Sequence, residues 1–400
     1  MIYKVLVGNE HGGAAMSSEE IVNFFLKEKD DFRVVFLTND RFAKHFNSTK
    51  ISNLNSFVPP RITTSNFVLK LVNGFKFLFW IFYTSFKFLC FAKKNKVKYV
   101  HTTNNHALLI CLLCKIFHPK MFIMSHWRCV GLASASSYVF LLHKINKVIS
   151  ISEAVQQSLP EFLQKKSVVI YNGVDVARLN SMASLNKGKL RALLGVDDEV
   201  FLIGTIGSYT SIKCHDLIID TVEKLNNPSV LAVLFGSTPN GDSKEYLAYL
   251  KGKVKEKNLQ KNVIFVDNKM VSKPKMMISD LDLFIGATWN DGLGEGFGLI
   301  YVEAMAQQLP VIAIDVGAAK EIVVDGQTGS LMAENSSSLL QLEIEKCRMS
   351  KRLKELGENG YERALKMFSI DKTLMKLDDL YKSLVVIKNS LLIVYFDAIF

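Results

Sequence analysis

Phe284-Ile-Gly-Ala-Thr-Trp-Asn-Asp-Gly-Leu-Gly-Glu-Gly-Phe-Gly-Leu-Ile-Tyr-Val-Glu303 joins a strand to a helix through four closely spaced glycines. The strand is predicted to end near Gly286, and the helix to begin at Gly298 or Leu299. Glycines let a ligand approach the backbone closely. A helix start offers unpaired N–H groups and the positive end of a dipole, which suits a phosphate. Glu295 precedes the helix and Glu303 lies within it, so at ~1.5 Å per helical residue they stand roughly 10 Å apart. Carboxylates accept hydrogen bonds from hydroxyls. A sugar at one carboxylate and a ribose at the other, with phosphates between, fits that spacing.

Outward from this stretch, strand-like and helix-like segments alternate, which indicates α/β architecture with parallel sheets. In the first half, Tyr3–Gly8, Arg33–Leu37, Tyr99–Thr102, Met121–Met124, Val148–Ile151 and Val168–Tyr171 read as strands. In the second half, Phe201–Gly207, Val230–Gly236, Val263–Val266, Leu283–Gly286 and Pro310–Ile314 do so. Ser18–Lys27, Ala107–Phe117, Asp216–Leu225, Lys244–Lys257 and Ile300–Gln307 read as helices. The polar stretch Asn180–Lys189 separates the two series. Two doubly wound domains are therefore expected, over 1–180 and 190–365. Residues 366–400 form a last helix and an apolar tail, with the helix at about 370–388 expected to pack back across the first domain. Ligands in such folds bind beyond the carboxyl ends of the strands.

The glycine-rich stretch continues into Ala304-Met-Ala-Gln-Gln-Leu-Pro-Val-Ile-Ala-Ile-Asp-Val-Gly317 and Glu321-Ile-Val-Val-Asp-Gly-Gln-Thr-Gly329. Together these segments resemble family four of the retaining glycosyltransferases. The family's E-x7-E pair is matched by Glu295 and Glu303 in its E-G-F-G-x-x-x-x-E-A-M setting. The resemblance implies the GT-B fold, two facing Rossmann-like domains with an interdomain cleft. It implies that Glu295 binds the donor sugar and Glu303 the ribose. Gly296, Phe297, Gly298 and Leu299, with Lys213, would hold the diphosphate, and Val266–Met270 would lie near the base. Gly12 and Gly13 match the family's loop near the donor phosphates; that loop lacks the Lys-Ser/Thr of a P-loop, so ATP hydrolysis is not indicated. His126, in Ser125-His-Trp-Arg128, resembles the histidine that faces the donor sugar, and Arg128 is a candidate for an anionic acceptor or phosphate. His101 and His106 have no assigned role. Asn172 and Gly173 are expected to shape a turn. The segment Gly207-Ser-Tyr-Thr-Ser-Ile-Lys-Cys-His-Asp216 departs from the family, with Ser208 in place of an arginine and Cys214 in place of a glycine.

Composition bounds the rest. Hydrophobic residues make up 49% and charged residues 22%, which fits folded domains with substantial cores. The six cysteines are scattered through apolar runs, and Cys111-x-x-Cys114 reads as core packing in a reduced chain. No histidine–carboxylate spacing indicates a metal, and no cofactor is expected. No signal peptide is read at the start. The apolar run Phe77–Phe86, bounded by Lys76 and Lys87, is too short to span a bilayer.

The net charge is +11, and residues 1–180 carry +13 against −2 for the remainder. No acidic residue occurs between Asp40 and Glu153, an interval with 16 Lys and Arg. Phe75–Phe91 interleaves its lysines with Phe, Leu, Ile and Trp, which points to an anionic membrane surface rather than nucleic acid. A solvated basic face is the plainer alternative.

The expected partners are a nucleotide-diphosphate sugar, a glycan or lipid-linked acceptor, and the inner face of the cell membrane. The expected process is bacterial surface-polysaccharide synthesis. A nucleotide-sugar epimerase of the same fold and a non-catalytic nucleotide-sugar-binding subunit are the rivals.

Overall fold

A computed structural model of the chain describes residues 1–6, 13–38, 48–56, 67–131, 139–238, 241–267, 274–289 and 295–396. It divides into two units, residues 1–170 with 374–400, and residues 171–373.

The first unit is built on seven strands: β1 (Ile2–Leu6), β2 (Phe32–Thr38), β3 (Ile51–Ser56), β4 (Tyr99–Thr102), β5 (Phe122–Trp127), β6 (Lys147–Ser150) and β7 (Ser167–Val169). The second is built on six: β8 (Phe201–Ser208), β9 (Val230–Ser237), β10 (Val263–Val266), β11 (Leu283–Gly286), β12 (Val311–Ile314) and β13 (Gly329–Met332). The sheet orders are β3-β2-β1-β4-β5-β6-β7 and β10-β9-β8-β11-β12-β13. The strand pairings are parallel. Parallel sheets covered on both faces demand continuous apolar strands. Val230–Phe235 accordingly lies almost wholly out of solvent, as do Leu283–Ile285 and Val311–Ala313. The strand order reverses between β1 and β4, and again between β8 and β11. Those switch points open at the carboxyl ends of the strands.

Two elements differ from expectation. The domain boundary lies between Ile170 and Tyr171, ahead of the polar stretch 180–189. That stretch belongs to helices Val176–Asn186 and Lys189–Leu194 of the second unit. The Asp280 carboxylate fastens it there, accepting from the amides of Gly188 and Leu190 at 2.6 and 2.7 Å. The basic apolar segment is one continuous helix, Phe67–Lys94, of 28 residues. Among the described residues it is the one helix long and apolar enough to cross a membrane, by length and composition. This exceeds the short run Phe77–Phe86, because Lys70 and Lys76 interrupt the apolar sequence without interrupting the helix.

The last helix runs Ile370–Phe396, and from Leu374 it belongs to the first unit. Leu374, Leu377, Tyr381 and Leu384 are buried, at spacings that fall on one helical face. Polar contacts fix its register: Lys29 Nζ meets Asp378 at 2.9 Å, and the Tyr99 hydroxyl donates to Leu384 O at 3.2 Å.

Candidate functional site

The second unit gathers its chemistry at the β8/β11 switch point. After β8, Ser211–Lys213 makes a single 3-10 turn, and Cys214 takes a left-handed conformation (φ 48°) before helix His215–Leu225. Glycine adopts such a φ freely and other residues rarely do, which accounts for the glycine that the family carries where this chain has Cys214. After β11 comes Thr288. The Trp289 amide donates to Ile212 O at 2.8 Å, tying the two loops together. The backbone of Glu295 is held from the far side, where Ala318 N donates to Glu295 O at 3.0 Å.

Within this frame Lys213 Nζ forms an ion pair with Glu295 Oε1. Thr288 Oγ1 donates to the same carboxylate oxygen at 3.0 Å, and Lys213 Nζ lies 3.4 Å from Thr288 Oγ1. Lys213 and Glu295 keep about a quarter of their side-chain surface exposed, so a ligand can reach both. The Thr210 hydroxyl, on the same loop, is buried and has no partner among the described residues.

Gly286 and Gly298 lie against Tyr301, which is 2% exposed and donates its hydroxyl to Gly286 O at 3.3 Å. A Cβ on Gly286 would lie 2.0 Å from the Tyr301 ring. Gly298, at φ +86°, would place a Cβ 2.6 Å from the same ring. Helix Leu299–Met305 then starts directly after Gly298. Phe297 is buried, packed on Tyr171 and Phe368 at centroid distances of 5.9 and 5.7 Å. Burial raises the Tyr301 phenol above its ordinary value, keeping it protonated.

Glu303 projects from that helix, 8% exposed, and Lys275 Nζ meets its Oε1 at 2.5 Å. Gln307 Nε2 ties the two segments by donating to Lys275 O and Glu303 O at 3.0 and 3.1 Å. Lys275 and Thr288 were not among the residues singled out from sequence. Thr288 sits inside the opening stretch, but nothing in its spacing ties it to Glu295. Lys275 lies 28 residues from Glu303, and no periodicity relates them.

The remaining expected residues are placed as follows. Gly13 begins helix Gly13–Glu28, while Gly12 lies outside the described residues, as do 268–270 of the expected base-facing loop. His126 belongs to the first unit, near the carboxyl end of β5. It is 4% exposed, and neither ring nitrogen has a hydrogen-bond partner among the described residues. Its ring stacks on His101 at 5.4 Å, and His101 Nδ1 meets the Tyr381 hydroxyl at 2.6 Å. Burial first, then Arg128, His101 and Lys4, hold the His126 pKa well below the ordinary imidazole value. His126 is thus a neutral imidazole at physiological pH, able to donate one hydrogen bond and accept another. Among the described residues, no three His, Cys, Asp or Glu side chains are grouped to hold a metal ion.

Two Rossmann-like parallel-sheet units, one bearing a lysine–carboxylate pair at its switch point, define a GT-B protein. Residues 186–363 match the family model for glycosyl transferases group 1, and residues 11–178 match that for glycosyltransferase family 4. Between them the two glycosyltransferase matches take in most of the chain, largely one to each unit.

Its relatives include an uncharacterized glycosyltransferase of Methanocaldococcus jannaschii, 28% identical over 240 residues, 60% of each protein. The lipopolysaccharide core biosynthesis mannosyltransferase LpsB of Rhizobium meliloti is 28% identical over 251 residues, 61% of this chain and 68% of LpsB. The capsular polysaccharide biosynthesis glycosyltransferase CapM of Staphylococcus aureus is 26% identical over 263 residues, 61% of this chain and 65% of CapM. The chain thus spans 60 to 68% of these relatives' lengths.

Among solved structures, Anabaena HepE in complex with UDP has a TM-score of 0.76 at 20% identity, over 96% of this chain and 99% of HepE. A glycosyltransferase from Rickettsia africae has a TM-score of 0.76 at 18% identity, over 96% and 98%. At these identities the likeness establishes the fold.

Proposed function

We propose that the protein is a retaining glycosyltransferase, hexosyl- or N-acetylhexosaminyl-, that uses a nucleotide-diphosphate sugar. Its acceptor is a glycan or a lipid-linked glycan at the cytoplasmic membrane face, in O-antigen, capsule or lipopolysaccharide synthesis. The Lys213–Glu295–Thr288 constellation at the switch point carries this reading. The names of LpsB and CapM support the process, and the UDP and UDP-glucose held by HepE support the donor class.

The chemistry follows from charge. As the bond to the sugar breaks, negative charge builds on the leaving diphosphate, and an ammonium fixed nearby stabilises it. Lys213 supplies that ammonium. Glu295, already held by Thr288, accepts hydrogen bonds from donor-sugar hydroxyls. Glu303 accepts those of the ribose, with Lys275 orienting its carboxylate. Ser208 offers no charge where the family carries an arginine, so Lys213 bears more of the diphosphate's charge here. His126, neutral, is a hydrogen-bonding group for the donor sugar. The acceptor attacks on the face from which the diphosphate departs, and the protein contributes positioning and electrostatics.

The test is incubation of the purified protein with labelled nucleotide sugars and membrane lipids. A labelled lipid or glycan with retained anomeric configuration supports the proposal. A free epimerised sugar nucleotide would identify an epimerase. Tight donor binding without turnover would identify a binding subunit.

A further inference from the structure

We propose that helix Phe67–Lys94 lies in the plane of an anionic membrane surface and docks the protein there through its exposed aromatic face. The inference deepens the proposed function and rests on it only for the location of the acceptor. The helix belongs to the first unit, whereas Lys213, Glu295 and Glu303 belong to the second.

Phe75, Phe79, Phe82 and Phe86 are 72, 63, 65 and 67% exposed. Their spacing of four, three and four residues sets them on one face of the helix. Leu71, Val68 and Leu78, also exposed, widen the same face. A continuous exposed apolar stripe of this kind marks an interaction surface.

The opposite face decides between lying on a bilayer and crossing it. Trp80, Thr84, Phe88 and Ala92 are fully buried and Ile81 nearly so, and the helix packs on Asn105–Phe117 of its own unit. A crossing helix would have to strip those side chains from the core. A helix with one face in the protein and one apolar face outward fits the boundary between headgroups and acyl chains, entering it by ~5–10 Å.

Charge decides between a membrane and a second copy of the chain. The helix carries five lysines and no acid, and no acid occurs anywhere from residue 41 to residue 152. Two such faces brought together would repel, whereas an anionic surface attracts them. Lys76 and Lys94 are exposed at the flank of the stripe, placed for lipid phosphates.

The experiment uses the full chain and two sets of vesicles, phosphatidylcholine alone and phosphatidylcholine mixed with phosphatidylglycerol. The wild type is expected to sediment with the mixed vesicles, less so as salt rises, and to be released by alkaline carbonate. Phe75→Ser with Phe82→Ser is expected to weaken binding about tenfold or more. Lys76→Glu with Lys94→Glu is expected to abolish the preference for phosphatidylglycerol. All four positions are exposed, so unfolding midpoints should stay unchanged, and if one pair lowers its midpoint the other still reads the surface. Glu303→Ala should bind vesicles like the wild type, which separates this inference from the donor site. Equal binding by wild type and both variants would overturn the proposal. So would resistance to carbonate, which means a crossing helix. A dimer that the phenylalanine substitutions convert to monomers, with vesicle binding unchanged, would assign the face to a second copy.

Discussion

Lys213 and Lys275 each hold a carboxylate of the E-x7-E pair, and they are expected to fail differently when replaced. Lys213→Ala removes the charge proposed to stabilise the departing diphosphate, so turnover should fall roughly 100- to 1,000-fold with a smaller change in KM. A turnover within a few-fold of wild type would exclude Lys213 from that role. Lys275 acts one step back, through Glu303, whose carboxylate is 8% exposed and would be left buried without its cation. Lys275→Met should therefore weaken nucleotide binding and lower the unfolding midpoint, and Lys275→Arg should restore both. Glu303→Ala should weaken nucleotide affinity; unchanged affinity, read by calorimetry, would remove Glu303 from the ribose site. Glu295, Glu303 and Lys213 could be picked out as candidates because each sits in a short motif close to a strand end or a helix start. Thr288 and Lys275 could not be, since their roles arise only when β11 and the segment after β10 are brought beside those motifs.

At the scale of elements, the end of β11 and the start of helix Leu299–Met305 both fit closely against one ring. Gly286 and Gly298 each leave room for Tyr301 and nothing more. Gly286→Ala should force the ring out and break its bond to Gly286 O, destabilising the second unit by about 1–3 kcal/mol. Gly298→Ala adds the strain of a positive φ to a similar clash. Thermal unfolding compared with nucleotide affinity checks both, and a variant as stable as wild type would refute the packing argument. The central strands were readable because burial on both faces leaves continuous apolar runs. Two of the four edge strands, β3 (Ile-Ser-Asn-Leu-Asn-Ser) and β13 (Gly-Ser-Leu-Met), were not, because Ser, Asn and Gly break their apolar runs, whereas the edges β7 and β10 keep theirs. The segment 180–189 misled for a related reason. Its polarity looked like a linker, but Asp280, far along the chain, satisfies its amides and folds it into the second unit.

Across the whole molecule, three buried histidines make stability depend on pH in both units. Burial, reinforced by Lys4 and Arg128, holds His101 well below its ordinary value, and His126 beside it is held there as well. In the second unit burial, then Lys213, brings His215 down to about 4 against the opposing pull of Asp216. Below pH ~6.5 the unfolded chain takes up protons that the folded histidines refuse. The stability they contribute is therefore complete above about 6.5 and is lost as pH falls toward the folded values, at up to about 1.4 kcal/mol per pH unit for each histidine. Urea unfolding at pH 7 and pH 5 should show lower stability in acid for both units, and the two transitions need not coincide. His215→Gln should flatten the pH dependence of the second unit's transition and leave that of the first. An unchanged slope in that variant would mean that His215 gains a proton in the folded state as readily as in the unfolded chain.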